Sequence, residues 1–465
     1  MESLLSTSVQ KYVERGKQKL LAEKAHRNVM MQKKFDTIAV HGMYSIEEAL
    51  RNQGSIIEPV FLSSAQHYEN TDHLEAAQAY LTPSWAYTRI SNPTLIYLEQ
   101  TLSMLEGYGY DGETSAVVTS SGMSAIFMAT NPFLEENGAP INIVADAKCY
   151  GGTFMLFNKR YGGERGVDVR WVKDSLNVEE WEEKIDKNTR FIFVETPSNP
   201  SLSMADIEKL AKIAHAHGIP LIVDSTLSTP ALMRPLCHGA DIVVHSVSKS
   251  MAVSGSAIAG AIISRKNIPS RVGSDEMRED FATYVKLWPM RDHGPSLSPL
   301  SAYMVLNDLR TLRTRLDKMS QNTMKVANFL NEHPNVESVA YPGLSSHAGH
   351  EVANKYMQLV DGEDDYGTSV NRYGYLLSFN VKGGHQAARD VLDNLKMIWM
   401  ATDLGRVKTI ANIPAISTHK QQGDEGRELA SLPSHLIRLS VGMEHPDDII
   451  GDLDGALKSL NQLKI

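Results

Sequence analysis

DIVVHSVSKSMAVSG, residues Asp241 to Gly255, is the stretch that decides the fold. Its first residues are aliphatic and do not alternate with polar ones, which suits a short strand covered on both faces, as in a parallel sheet with crossover helices. The strand then runs into Ser246, Ser248 and Lys249 and on into small residues. Ligands of open α/β sheets collect at the carboxyl ends of strands, so Lys249 stands where chemistry is expected. Working outward, PLIVDSTLSTP (Pro220 to Pro230) repeats the pattern and places Asp224 at the end of its own strand. A carboxylate there is costly to bury without a cation or strong donor. Further upstream, AVVTSSGMSAI (Ala116 to Ile126) ends in Ser120, Ser121, Gly122 and Met123 at a helix start. Hydroxyls, a glycine and free N–H groups at a helix N-terminus form an anion site.

Between Thr114 and Arg265 the same kind of run recurs as SAVVTS, INIVAD, VDVRWV, FIFVE, PLIVD, DIVVHS and AIAGAII, separated by helix-length segments. About seven mostly parallel strands in one large α/β domain follow from this. At 465 residues the chain exceeds the size of a single core, which stops growing near ~250–300 residues. Ser298 to Glu332 has sustained helical periodicity with no Gly or Pro after Pro299, and His333 and Pro334 stop it. Beyond it VESVA, YGYLLSFNV and LIRLSV read as strands, and HQAARDVLDNL and PDDIIGDLDGALKSLNQL as helices, which fits a smaller α+β domain. Asp361 to Tyr373 reads as an exposed polar loop. Glu2 to Lys34 reads as a helical arm with little core, expected to pack on a partner or move. The divisions expected are 1–85 (arm and subunit-contact segment), 86–297 (large domain) and 298–465 (linking helix and small domain).

The composition excludes several classes. Lys plus Arg number 46 against 55 Asp plus Glu, a net charge of −9 that provides no attraction to nucleic acid or anionic lipid. No apolar run is long enough for a membrane helix, and the N-terminus shows no secretory pattern. Two cysteines, Cys149 and Cys237, make no disulfide framework, so the cytoplasm is the expected compartment. Ser246 to Lys249 also fits the short Ser-x-x-Lys pattern of serine acylases, but the SDN and KTG partners are missing. His215 with His217, and His347 with His350, have metal-like spacing, but the first pair reads as surface histidines of a helix and the second lies in a Gly-rich loop without Cys or Asp partners, and no metal site is expected.

An amine, a carboxylate and an anion cradle at neighbouring strand ends match the needs of pyridoxal 5'-phosphate. The lysine would form a Schiff base, the carboxylate would keep the pyridine nitrogen protonated, and the cradle would anchor the phosphate.

The sequence resembles the Cys/Met-metabolism, cystathionine γ-synthase-like family of fold-type I pyridoxal-phosphate enzymes, from about Phe35 to the C-terminus. The matching motifs are AYTRISNPT (Ala86 to Thr94), SSGMSAI (Ser120 to Ile126), CYGGTF (Cys149 to Phe154), ETPSNP (Glu195 to Pro200), VDSTLSTP (Val223 to Pro230), HSVSKS (His245 to Ser250) and LIRLSVGMEHPDDI (Leu436 to Ile449). The resemblance implies an aspartate-aminotransferase-like α/β fold. It makes Lys249 the Schiff-base residue and proton carrier, Asp224 the partner of the pyridine nitrogen, Tyr150 the ring stacked on the cofactor, and Asn199 a neighbour of both cofactor hydroxyl and substrate carboxylate. Ser121, Gly122, Met123, Ser246 and Ser248 resemble phosphate ligands. Tyr87 and Arg89 resemble the pair that an adjacent subunit supplies to the phosphate, which implies a homodimer or homotetramer with shared sites. Lys249, Tyr150 and Tyr87 are the implied catalytic residues. Arg438 resembles the clamp for the substrate α-carboxylate, with Thr402 and Asp403 beside it; a charge inside the apolar strand LIRLSV calls for an anion on its own account.

The implied activity is γ-elimination or γ-replacement on a homoserine-type or sulfur amino acid. Alternatives are a lyase for a substrate with a basic leaving group such as canavanine, a β-elimination of the cystathionine β-lyase type, and a non-catalytic interaction protein on the same fold. Two departures bear on the substrate. Gly152 stands where methionine γ-lyases typically have cysteine, and Thr402-Asp403-Leu404-Gly405 stands where cystathionine enzymes commonly have Glu-Ser-Leu-Gly. Asp403 would repel a substrate carboxylate unless it faces Arg438, Arg406 or a cationic substrate tail.

Overall fold

The structure, a computed structural model, describes residues 6–83, 85–135 and 140–460. The seven runs form one sheet: β1 (Thr114–Thr119), β2 (Asn142–Asp146), β3 (Asp168–Val172), β4 (Thr189–Glu195), β5 (Leu221–Asp224), β6 (Ile242–His245) and β7 (Gly260–Arg265). Their order is β1-β7-β6-β5-β4-β2-β3. Only β7 is antiparallel to its neighbours; the other pairs are parallel. The lack of alternation has a direct cause. Val223, Val243 and Ile263 face one buried cluster while Ile222, Ile242 and Ile262 face another, so successive side chains are all apolar. Because β1, β6, β5, β4 and β2 run in one direction, Ser120, Ser246, Asp224, Glu195 and the Cys149-Tyr150 turn come out along one edge of the sheet.

The second sheet has five strands in the order β12-β13-β14-β11-β8. They are β8 (Val336–Ala340), β11 (Leu376–Val381), β12 (Trp399–Met400), β13 (Ile410–Asn412) and β14 (Leu436–Ser440), with the Gly384–Asn394 helix packed on it and the Pro446–Ser459 helix packed on that helix. Two expectations need correction. The 298–332 segment is two helices, Pro299–Leu309 and Leu312–Glu332, broken at Arg310 and Thr311. Tertiary contacts make the break: Arg310 turns aside to Glu58 and Asn307, and Arg315 in the next turn reaches the Ser250 carbonyl at 2.9 Å. The polar stretch after Asp361 is not a plain loop, since β9 (Gln358–Glu363) pairs with β10 (Ser369–Asn371). Asp361 there accepts hydrogen bonds from the Phe35 amide at 2.9 Å and the Tyr108 hydroxyl at 2.9 Å.

Residues 2–5 of the arm and 461–463 of the last helical segment lie outside the described residues. The rest of the arm is the helix Thr7–Met31, and it docks on its own chain. Tyr12 stacks on His73 with centroids 4.9 Å apart, Arg15 pairs with Glu69 at 2.7 Å, and Arg27 donates to Ser103 at 3.0 Å. Gly16 is the contact point with the segment that leads to Tyr87: a Cβ there would lie 2.4 Å from Thr82 Oγ1 and 2.9 Å from Pro83 Cδ. In an open helix Gly→Ala stabilises by ~0.5–1 kcal/mol. Here the overpacking of ~1–3 kcal/mol wins. Gly16→Ala should therefore loosen the arm, seen as faster tryptic cleavage after Lys17 and Lys19; an unchanged or slower rate would contradict the contact.

Candidate active site

The Lys249 amine and the Arg438 guanidinium meet around one residue, Asp403. Lys249 Nζ lies 2.9 Å from Asp403 Oδ1, and Asp403 Oδ2 accepts from Arg406 Nε at 2.6 Å. The Asp403 carbonyl accepts from Arg438 at 2.9 Å, and the Thr402 carbonyl from the same guanidinium nitrogen at 3.4 Å. The other Arg438 nitrogen donates to Asn199 Oδ1 at 3.0 Å. Lys249, Asp403, Thr402, Arg438 and Asn199 thus form one connected cluster across both sheets. Arg438 is 1% exposed, and among the described residues no carboxylate pairs with it. Burial pushes its guanidinium down to about 10. Burial also lowers the Lys249 ammonium, with Asp403 opposing. For Asp403 itself burial acts upward, but Lys249 and Arg406 outweigh it and hold the carboxyl below its ordinary value. Both Asp403 oxygens therefore face cations of the chain itself.

Asp224 ends β5 and is buried, with Oδ1 accepting from the Thr226 amide at 3.0 Å and hydroxyl at 2.5 Å. Burial raises its pKa despite those bonds. The Thr226 hydroxyl also accepts from the Ser246 amide at 2.8 Å, which locks the β5 and β6 strand ends together. Ser246 in turn abuts the helix Gly122–Thr130. A Cβ on Gly122 would lie 2.6 Å from Ser246 Cβ, so only glycine lets the helix end come this close. Ser121 caps that helix, its hydroxyl accepting from the Ser124 amide at 3.1 Å, and the Gly122 and Met123 amides are among the N–H groups that a helix start leaves free. The Ser246 hydroxyl meets no partner among the described residues. Ser248 is different: its hydroxyl donates to the Ala259 carbonyl at 3.0 Å and accepts from the Ala259 amide at 2.9 Å, so its proton is already engaged within the chain.

Tyr150 opens the helix Gly151–Met155, and burial raises its phenol. Its ring leans over Gly152, where a Cβ would come within 2.6 Å of Tyr150 Cε1 and 3.0 Å of Met123 Sδ. Glycine at 152 is what gives the ring that place. Tyr87 and Arg89 are exposed and form no hydrogen bond with this cluster in their own chain; Arg89 donates to the Arg291 carbonyl and stands 5.5 Å over the Tyr87 ring.

Sequence reasoning missed two groups. Glu195, at the end of β4 and in register with Asp224, accepts from the Tyr150 amide at 2.6 Å and the Asn199 amide at 2.8 Å. Burial and the neighbouring Asp224 carry its pKa well above the usual range. Its signal was available, since it heads the ETPSNP motif. His419 accepts from the Gly151 amide at 3.1 Å and packs edge-on to the Tyr150 ring, centroids 6.1 Å apart. Burial and then Arg438 lower its imidazole to about 4, so it is neutral. Nothing local in its sequence marks it. His215, read as one of a spaced pair, bonds Asp241 at 2.9 Å, and His350 bonds the Pro342 carbonyl at 2.8 Å.

The chain is similar to known proteins along most of its length. The chain is 37% identical to an L-methionine gamma-lyase of Fusobacterium nucleatum subsp. polymorphum, over 88% of this chain and 94% of that one. It is 32% identical to a homocysteine synthase of Schizosaccharomyces pombe, over 91% of this chain and 98% of that one. A solved structure of a putative O-acetylhomoserine (thiol)-lyase from Campylobacter jejuni superposes with a TM-score of 0.80 at 34% identity, covering 92% of this chain and all of that one; it carries N'-pyridoxyl-lysine-5'-monophosphate. The model of the Cys/Met metabolism PLP-dependent enzymes matches residues 36–458, and the chain belongs to that family.

Proposed function

We propose that the enzyme catalyses γ-elimination or γ-replacement on a homoserine-type or sulfur amino acid, with Lys249 as the residue that holds the cofactor and moves protons. One observation carries the reading: Arg438 is a buried cation whose partners are neutral oxygens, and it is joined through Asp403 to the Lys249 amine. Such a cation favours an incoming carboxylate, held bidentately. An α-amino acid bound there has its amine and Cα directed to Lys249.

The residues present fit pyridoxal phosphate. The close approach of Gly122 to Ser246, the free Ser246 hydroxyl and the amides of Gly122 and Met123, with Ser121 as cap, suit a phosphate. Asp224, whose Oδ2 accepts no hydrogen bond among the described residues, suits a protonated pyridine nitrogen, and Tyr150 offers an aromatic face. When bound, the cofactor supplies an aldehyde for amines and a ring that accepts the electron pair left at Cα.

The chain's own work is then positional and protic. Arg438 and Asn199 hold the carboxylate, and Thr402 and Asp403 hold Arg438. Lys249 takes the Cα proton, and loss of a second proton from Cβ accompanies departure of the group on Cγ. A thiol that bonds to Cγ gives replacement; without one, water releases a 2-oxo acid and ammonia. Tyr87 and Arg89 are assigned to a second copy's phosphate site, making a homodimer or homotetramer, because both are exposed and neither bonds to the Lys249 cluster of its own chain.

Purified enzyme should be incubated with O-acetylhomoserine, O-succinylhomoserine, methionine, cystathionine and canavanine, each with and without sulfide, and the products read by mass spectrometry. Sulfide-dependent homocysteine or sulfide-independent 2-oxobutanoate is the expected result. Cleavage of Cβ bonds only, or no turnover of any of the five, would overturn it. Preference for canavanine is the less favoured outcome, since Lys249 and Arg406 already occupy the Asp403 oxygens.

A further inference from the structure

Asp403 is held too firmly to be an incidental surface ion pair. Its Oδ1 also accepts from the Leu404 amide at 2.9 Å, and its Arg406 partner is fixed by donation to the Ala252 carbonyl at 2.6 Å, three residues past Lys249. The turn that carries it lies on the lysine's own backbone. Gly405 has φ +73°, and a Cβ there would be 2.7 Å from the Ser250 amide and 3.2 Å from the Lys249 carbonyl carbon. The Gly405 amide is tied to Ser440 Oγ at 2.9 Å, on the strand that bears Arg438.

We propose that Asp403 is a positioning residue for the Lys249 amine, seating it beside the carboxylate clamp and keeping its proton on the nitrogen. This rests on the reading of Lys249 as cofactor holder and proton carrier. Charges facing the amine are Asp403, Arg406 and Arg438, with the buried Tyr375 phenol near the same carboxylate. Burial and the two guanidinium groups favour the free amine; Asp403 alone favours the ammonium. When Lys249 takes a proton from Cα, the carboxylate holds the resulting ammonium by a charge-assisted hydrogen bond without itself becoming protonated. Nζ must give that proton up before it can accept the second one, from Cβ. A neutral residue at 403 would make Lys249 a weaker base and a faster proton donor.

The amine can be read directly. The full-length chain freed of cofactor is labelled with acetic anhydride across a pH series, and the modified fraction of Lys249 is measured by peptide mass spectrometry, with circular dichroism as the check on folding. Asp403→Asn should lower the labelling midpoint by about one pH unit or more, the range of an opposite charge at this distance. Asp403→Glu should restore most of it. Arg406→Gln should move the midpoint the other way, upward, because a cation facing the amine is removed and Asp403 is left to Lys249 alone. An unmoved midpoint in folded Asp403→Asn, or a downward shift in Arg406→Gln, overturns the proposal, and the second variant decides alone if the first does not fold. Failure of borohydride to fix the cofactor on Lys249 in the holoenzyme would instead sink the reading beneath it, leaving the labelling midpoints as they are.

Discussion

Lys249→Ala should abolish turnover of every substrate, by at least ~10³-fold, while the protein stays folded. The expected loss is large because the proposed reading gives one nitrogen two tasks: attaching the cofactor and carrying the proton from Cα. Removing it eliminates both, and the nearby groups cannot take over. Arg438, at about 10, stays protonated at neutral pH, and Asp403, held below its ordinary pKa, is a weak base. Stability should change little. The Lys249–Asp403 pair has side chains 27% and 34% exposed, and Asp403 keeps its bonds from Arg406 and the Leu404 amide. Borohydride should fix the cofactor to a peptide containing Lys249 in the parent enzyme and to none in the variant. Substantial residual turnover in the variant, or cofactor fixed at another lysine, would refute the assignment.

The reason Lys249 was legible in the sequence is the reason the sheet was. Strands buried on both faces cannot alternate, so each shows a short apolar run, and its polar successors mark the carboxyl edge where ligands sit. Asp224, Ser246 and Lys249 all follow such runs. Arg438 was visible by the opposite signal, a charge inside an apolar strand. His419 was not, because it reaches Tyr150 from a loop far along the chain and no local rule marks a residue whose role is set by tertiary contact. The same limit hid the helix break at Arg310 and Thr311, where no Gly or Pro stands and the kink comes from partners on other elements. The β9–β10 hairpin was hidden because only the adjacent Leu359 and Val360 are buried and the rest is mostly polar and exposed or half exposed, so no alternation marks a strand. Asp403 is intermediate: the sequence posed its repulsion problem, and only the structure shows Lys249 and Arg406 as the answer.

Arg438→Leu should lower kcat/KM by ~10²–10⁴-fold, yet leave the cofactor-free protein as stable as the parent or more so. The two effects share a cause. Two charge-assisted hydrogen bonds to a carboxylate contribute ~1.5–3 kcal/mol each, and each ~1.4 kcal/mol is tenfold in rate. Without substrate the guanidinium donates, among the described residues, only to Asn199 Oδ1 and the carbonyls of Thr402 and Asp403. Leucine leaves those carbonyls without a partner, at ~1–3 kcal/mol. It also ends the burial of a cation that no carboxylate neutralises, a penalty of several kcal/mol. The second term offsets or exceeds the first, so the denaturation midpoint should hold or rise. A structural arginine in an ion pair would behave oppositely, because its removal strands a buried charge at ~3–5 kcal/mol. Arg438→Lys should recover little activity, since a point charge does not reproduce the planar fork. Saturation kinetics and urea titration of the same variants distinguish the cases: a destabilised protein with near-parent kcat/KM would make Arg438 a scaffold residue and remove the clamp from the mechanism.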